Sequence, residues 1–190
     1  MAKLEHEEQL NSIFANVNEW LKFAEAKNFG LLTLNAAIVF GLTQIEFCEN
    51  SLYQKIIFIV FGIFAFFSFL FSLISVFPNV SKIGKNEFSK AFINKFSNWI
   101  DKEEVFENIH FYGFLRTIDK SEFETKFLSK VNSNVSFTVF EKEIVEQILF
   151  NSRISWLKYQ LFKIAAFIFL MGIIATIVIL SIASIYLIFN

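Results

Sequence analysis

At one place in the chain ring faces, a cation and a titratable imidazole stand together. These are His110, Phe111, Tyr112 and Phe114, opened by Asn108 and followed by Arg116. Such rings can stack on a nucleotide base, and a guanidinium can fork onto phosphate oxygens. The same pattern also describes a packed helix whose rings build a small core. A second set is Trp20, Glu25, Lys27 and Asn28. Glu25 and Lys27 are two apart, so on a helix they point to different faces. The set reads as an interfacial belt with Lys27 reaching headgroups, or as Lys27 or Asn28 reaching a ligand. A third set, Arg153, Lys158, Tyr159 and Lys163, precedes a long apolar run. It is flanking positive charge, or a phosphate contact.

Catalytic patterns are missing. The six glycines are scattered and form no phosphate-binding loop. Two histidines, His6 and His110, and one cysteine make no metal set. No nucleophile elbow or Ser/Lys signature is present. The expectation is a protein that is not an enzyme, with no cofactor and no metal. The 28 phenylalanines accompany many Ile, Lys and Asn residues, as A- and T-rich codons would give, and imply no special chemistry.

The elements that must position these residues are set by hydropathy. Ile56 to Phe77 is 22 residues without a charge, and Ile164 to Phe189 is 26. Phe29 to Ile45 is a weaker run of 17, interrupted by Thr33, Asn35 and Thr43. A bilayer core about 30 Å thick needs roughly 20 apolar helical residues to cross. The fold expected is an all-α membrane protein with three transmembrane helices. Its parts are an N-terminal amphipathic helix (1–28), a helical hairpin of spans one and two (29–78), a small helical module (79–163) and span three (164–190). Thirteen of the 17 Lys and Arg residues lie between Lys82 and Lys163. The positive-inside rule then places the N-terminus and the module in the cytosol and Asn190 outside. The first 28 residues carry five Glu and three Lys and lack the pattern of a removable signal peptide. Cys48, in the expected outer loop, has no internal partner for a disulfide. An inert thiol or an intermolecular bridge is left.

Leu10, Ile13, Phe14, Val17, Leu21 and Ala24 recur at helical spacing. This face would lie on the membrane surface or pack on the module. Asn35 in hydrocarbon should find a partner helix. Pro78 makes the exit of span two sharp. In the module, helices are expected around Phe88 to Ile100 and across Lys102 to Thr117. A third, with Ser121 and Glu124 as its capping box, carries Phe123 and Phe127. The segment 132–134 is a breaker, and Phe137 to Phe140 has the flavour of a short strand. From Glu141 the helical pattern runs without interruption to Phe189, about 73 Å at 1.5 Å per residue. Such a helix would couple the module rigidly to span three.

The chain resembles the transmembrane effectors of Pycsar, the pyrimidine cyclase anti-phage system. The motifs that carry the resemblance are Ala24-Glu25-Ala26-Lys27 before span one, with Glu where the family has Asp, and then Leu31 to Asn35. The Phe77-Pro78 exit, Ile109 to Gly113, Glu122-Phe123 and Lys158-Tyr159 follow in the same order. The resemblance implies a partner cyclase that makes a cyclic pyrimidine mononucleotide (cCMP or cUMP) during infection. It also implies an effector in the bacterial inner membrane that detects the nucleotide and damages that membrane in abortive infection. Candidate ligand residues are then Lys27, Asn28, His110, Phe111, Tyr112, Arg116 and Lys158. Asn35, Thr43, Ser72 and Thr176 would line a leak path or pack the spans. Partners would be the cyclic nucleotide, membrane lipid and further copies of the chain, with no nucleic acid polymer. The rival reading is a membrane anchor or assembly protein whose helices dock a protein partner.

Overall fold

The computed structural model describes residues 2–44, 52–77, 87–100, 106–133 and 135–189. Cys48 and Pro78, and the expectations attached to them, lie outside these residues. The helices are α1 (Ala2–Thr43), α2 (Leu52–Val76), α3 (Glu87–Ile100), the single turn α4 (Tyr112–Leu115), α5 (Lys120–Lys130) and α6 (Val139–Phe189). No strand occurs among the described residues. The chain forms two compact units, Met1–Ala26 with Pro78–Gln160, and Lys27–Phe77 with Leu161–Asn190.

In the first unit the apolar stripe of α1 enters a core. Leu10, Ile13 and Val17 are buried with Phe123 and Phe127 of α5 and Ile148 of α6. The helix thus packs on the module, the second of its two expected locations. Fully burying a side chain of this size is worth roughly 1.5–3 kcal/mol, so this stripe is a major source of the module's stability.

Three local expectations are corrected. No helix spans 102–117: residues 106–108 are irregular, and among the described residues of that range only Tyr112–Leu115 is helical. Asn108 competes with the backbone there, its Oδ1 accepting the His110 N–H at 2.8 Å. The cap of α5 is Asp119, not Ser121. Its carboxylate accepts the Glu122 N–H at 2.8 Å and the Ser121 hydroxyl at 2.7 Å. Glu124 instead accepts the Phe137 N–H at 3.0 Å. No strand forms at 137–140, because a capping box starts α6 at that point. The Thr138 N–H and hydroxyl donate to Glu141 at 2.6 and 2.7 Å, and the Glu141 N–H returns to Thr138 at 3.3 Å. The breaker is real. Asn132 takes a left-handed φ of 51°, and the Ser133 N–H reaches the Leu128 carbonyl at 3.1 Å, closing α5 in a Schellman motif.

In the second unit α1, α2 and α6 are each long and apolar enough to cross a membrane. Large apolar residues such as Phe40, Phe66, Phe67 and Ile177 are at least half exposed. In lipid such outward surfaces are solvated rather than penalised. The interior is lined by small and polar groups. Asn35 donates to the Ser68 hydroxyl at 2.8 Å, and Ser68 donates to the Ala165 carbonyl at 2.8 Å. One hydrogen-bonded chain therefore ties all three helices, as the amide in a span required. Ser72 and Ser75 continue the buried face of α2. At Gly172 of α6 an added Cβ would meet Phe64 Cβ at 2.7 Å, so the two backbones approach closely there.

Candidate functional site

Three elements of the first unit bring the aromatic residues together. α1 contributes Trp20 and Ala24, the α4 turn contributes Phe111 and Tyr112, and α6 contributes Trp156 and Tyr159. The turn is held to α1 by Asn16, whose amide donates to the His110 carbonyl at 2.7 Å. Phe111 is the extended residue that opens the turn, and its own carbonyl accepts the Leu115 N–H at 3.0 Å. Its ring folds back over Gly113, where an added Cβ would lie 2.4 Å from Phe111 Cε1. Glycine is needed at 113 for this close approach.

The ring of Tyr112 stacks on Tyr159, with centroids 5.2 Å apart and an interplanar angle of 15°. Trp20 sits 5.5 Å from Tyr112 and 6.4 Å from Tyr159, and Phe111 lies 4.8 Å from Tyr112. Contacts of this kind add roughly 0.5–1.5 kcal/mol each beyond area burial. Two cations border the rings. The Arg116 guanidinium carbon lies 4.1 Å from the centroid of the Trp156 ring, a cation–π contact. Lys158, only 6% exposed, pairs with Glu25 at 2.9 Å. Burial of the ammonium favours a negative partner beside it, because an uncompensated buried charge is costly. Rings and cations side by side are groups that can stack on an aromatic ring and pair with an anion.

Of the residues singled out from the sequence, Tyr112, Phe111, Arg116 and Lys158 belong to this neighbourhood. His110 is in the same turn with an exposed side chain. Lys27 and Asn28 fall in the second unit, where the Lys27 ammonium lies 5.6 Å over the Phe162 ring and Asn28 is fully buried. Arg153 lies apart, in an open groove of about 520 Å³ with Lys120, Glu146 and Phe150. Trp20, Glu25 and Tyr159, which stand in the second and third sequence sets but not among the candidate ligand residues, join this neighbourhood, and so does Trp156, which no set contains. The spacing of Trp156 and Tyr159, three apart on one helix face, was the available signal. The i, i+2 relation of Glu25 and Lys27 did not reveal that Glu25 reaches across to α6.

Among the span residues, Asn35 is fully buried in the bridge already described, and Ser72 is fully buried with no hydrogen-bond partner for its hydroxyl. Thr43 and Thr176 satisfy themselves within their own helices, donating to Phe40 O at 2.7 Å and Gly172 O at 2.9 Å. Among the described residues no group of three or more His, Cys, Asp or Glu is placed to hold a metal ion.

Residues 9–185 match the family model described as PycTM, Pycsar effector protein domain. No curated protein and no solved structure gives a significant match. The match takes in the α1 stripe, the aromatic turn, Lys158 and most of the three apolar helices. The chain therefore belongs to the PycTM family of Pycsar transmembrane effectors.

Proposed function

We propose that the first unit is a sensor for a cyclic pyrimidine mononucleotide, cCMP or cUMP, made by a partner cyclase during phage infection. Binding drives homo-oligomerisation of the spans and disrupts the bacterial inner membrane, which ends infection with the host cell. The observation that carries this reading is the Tyr112–Tyr159 stack bordered by Arg116 and Lys158 in a chain of this family. The lysine and arginine asymmetry supports a cytosolic module, where the nucleotide would be made. Lys158 is then a latch: a ligand phosphate competes with Glu25 for the ammonium.

A ligand shifts an equilibrium only by its differential affinity for two states. A change from 1:99 to 99:1 takes about 5.5 kcal/mol, which a nucleotide bridging protomers can supply. Polar span residues Asn35, Thr43, Ser72 and Thr176 are proposed to face a leak path, or to pack between protomers, in the assembled state.

Detergent-solubilised protein should be titrated against a panel of cyclic mono- and dinucleotides. Charge-assisted phosphate contacts are worth about 1.5–3 kcal/mol, so Arg116→Ala should weaken binding roughly tenfold to a hundredfold. Lys27→Ala and Asn28→Ala belong in the same titration, and unchanged affinity would confine the site to the first unit. No binding by the wild type to any cyclic nucleotide would favour the docking-protein reading. Coupling through α6 is tested by a proline. A proline at Ser155, which is fully buried beside Trp156, would disturb the aromatic cluster as well as the helix. Lys163→Pro breaks the helix beyond the rings. Retained binding with lost leakage supports coupling through the helix, whereas normal leakage refutes it.

A further inference from the structure

Helix α3 follows span two closely and presents a face that the function above does not use. Phe92, Phe96 and Trp99 are four and three residues apart, which puts them in one row along the helix. Phe92 and Phe96 stack with centroids 5.9 Å apart, and Phe96 and Trp99 are 5.8 Å apart. Phe92 is 44% exposed and Trp99 is 69% exposed, while Ile93, a third of a turn away, is buried at 3%. The helix thus docks by its Ile93 side and turns an aromatic ladder outward.

We propose that this ladder is a membrane-interface anchor, lying in the headgroup and upper acyl region of the leaflet that α2 exits. The tether argues for this occupant. Only residues 77–86 separate the last residue of α2, Val76, from Glu87. Ten residues reach at most about 35 Å, so the start of α3 stays within that distance of the end of α2. Charge argues the same way. From Pro78 to Ile100 the sequence carries Lys82, Lys85, Lys90 and Lys95 against Glu87 alone, and Lys95 is exposed beside the ladder. Aromatic rings with adjacent lysines suit anionic lipid, because indole and phenyl rings settle at the interface while ammonium groups meet phosphates.

The test uses the full-length protein reconstituted in vesicles of phosphatidylcholine and phosphatidylglycerol. With Trp20→Phe and Trp156→Phe, Trp99 is the sole indole. Its emission should be blue-shifted, lose most of its intensity to lipids brominated high on the acyl chain, and resist iodide. Replacing Lys82, Lys85, Lys90 and Lys95 by Gln should reduce quenching by brominated lipid. Water-like emission with full iodide quenching overturns the proposal. So does a blue-shifted emission that brominated lipid leaves unchanged, since protein, such as a second copy, then covers the ladder. Should the double Phe variant not assemble, a nitroxide at Phe92→Cys in a Cys48→Ser background gives the same reading. Oxygen should relax it more than a water-soluble nickel complex does, and the reverse order overturns the proposal.

Discussion

Removing the Ser68 hydroxyl should cost more than removing any other serine hydroxyl on the spans. Ser68 both accepts from Asn35 and donates to the Ala165 carbonyl, each at 2.8 Å, and so joins α1 and α6 through α2. Side-chain hydrogen bonds between membrane helices average about 0.6 kcal/mol and reach about 1.7. Ser68→Ala loses two of them and leaves the buried Asn35 amide without its acceptor, so the expected loss is about 1–3 kcal/mol. That shifts the equilibrium between associated and separated helices roughly 5- to 150-fold. Asn35→Leu should cost less. It loses one bond, but it also removes a buried Oδ1 that has no hydrogen-bond partner, for a net effect of about 0–1 kcal/mol. The double variant should therefore be no less stable than Ser68→Ala alone. Steric trapping in bicelles measures these differences. The control is Ser181→Ala, whose exposed hydroxyl bonds only the Ile177 carbonyl of its own helix at 2.8 Å. If Ser68→Ala and Ser181→Ala behave alike, the three-helix bridge does not hold the bundle.

Gly172→Val should force α2 and α6 apart at Phe64 and cost about 1–3 kcal/mol, read by the same trapping assay. Gly113→Ala should displace the Phe111 ring, with a changed near-ultraviolet circular dichroism signal and weakened nucleotide binding, while the α-helical signal is unchanged. The Glu122 N–H and the Ser121 hydroxyl hold the Asp119 carboxyl below its usual range. A depressed carboxylate contributes stability above its unfolded value, near pH 4, that is lost as pH falls through the folded value. The protection of α5 amides, with the intrinsic pH dependence of exchange divided out, should therefore fall only in that acid range, and Asp119→Asn should flatten the dependence. In cells with an active cyclase, Asn35→Leu should blunt dye entry, and unchanged entry would separate the Asn35 amide from the output.

The spans were legible because hydrocarbon imposes length and apolarity on a whole segment, a signal that survives any local detail. The α1 stripe from Leu10 to Ala24 was legible for a related reason, since its period does not depend on the partner. Its destination was not, because a bilayer surface and a protein core demand the same period. The errors fell where one side chain outbid the pattern. Asn108 drew the His110 N–H to its own side chain within the helix expected over 102–117, and Asp119 captured the cap two residues ahead of Ser121. At Phe137 to Phe140 the β-favouring residues were overruled by the reciprocal bonds of Thr138 and Glu141. The aromatic turn was found as a motif, and Trp20 and Tyr159 were named in other sets, but their meeting in one cluster was not foreseen. Trp20 and Tyr159 are 139 positions apart, and one sequence holds no signal for that distance.

The first unit is assembled from two stretches that the ribosome delivers far apart in time. Leu10, Ile13 and Val17 emerge first, and their partners Ile144 and Ile148 come after two apolar segments have been made. At about 5–20 residues per second the α1 stripe waits roughly 6–25 s with its apolar face uncovered. During that interval the nascent chain needs a holding surface, from a chaperone or from the bilayer itself. The same order of synthesis sets what can be produced as a soluble fragment. Residues 78–160 alone would lack the α1 contribution to their core, so a fragment of the first unit should include residues 1–26.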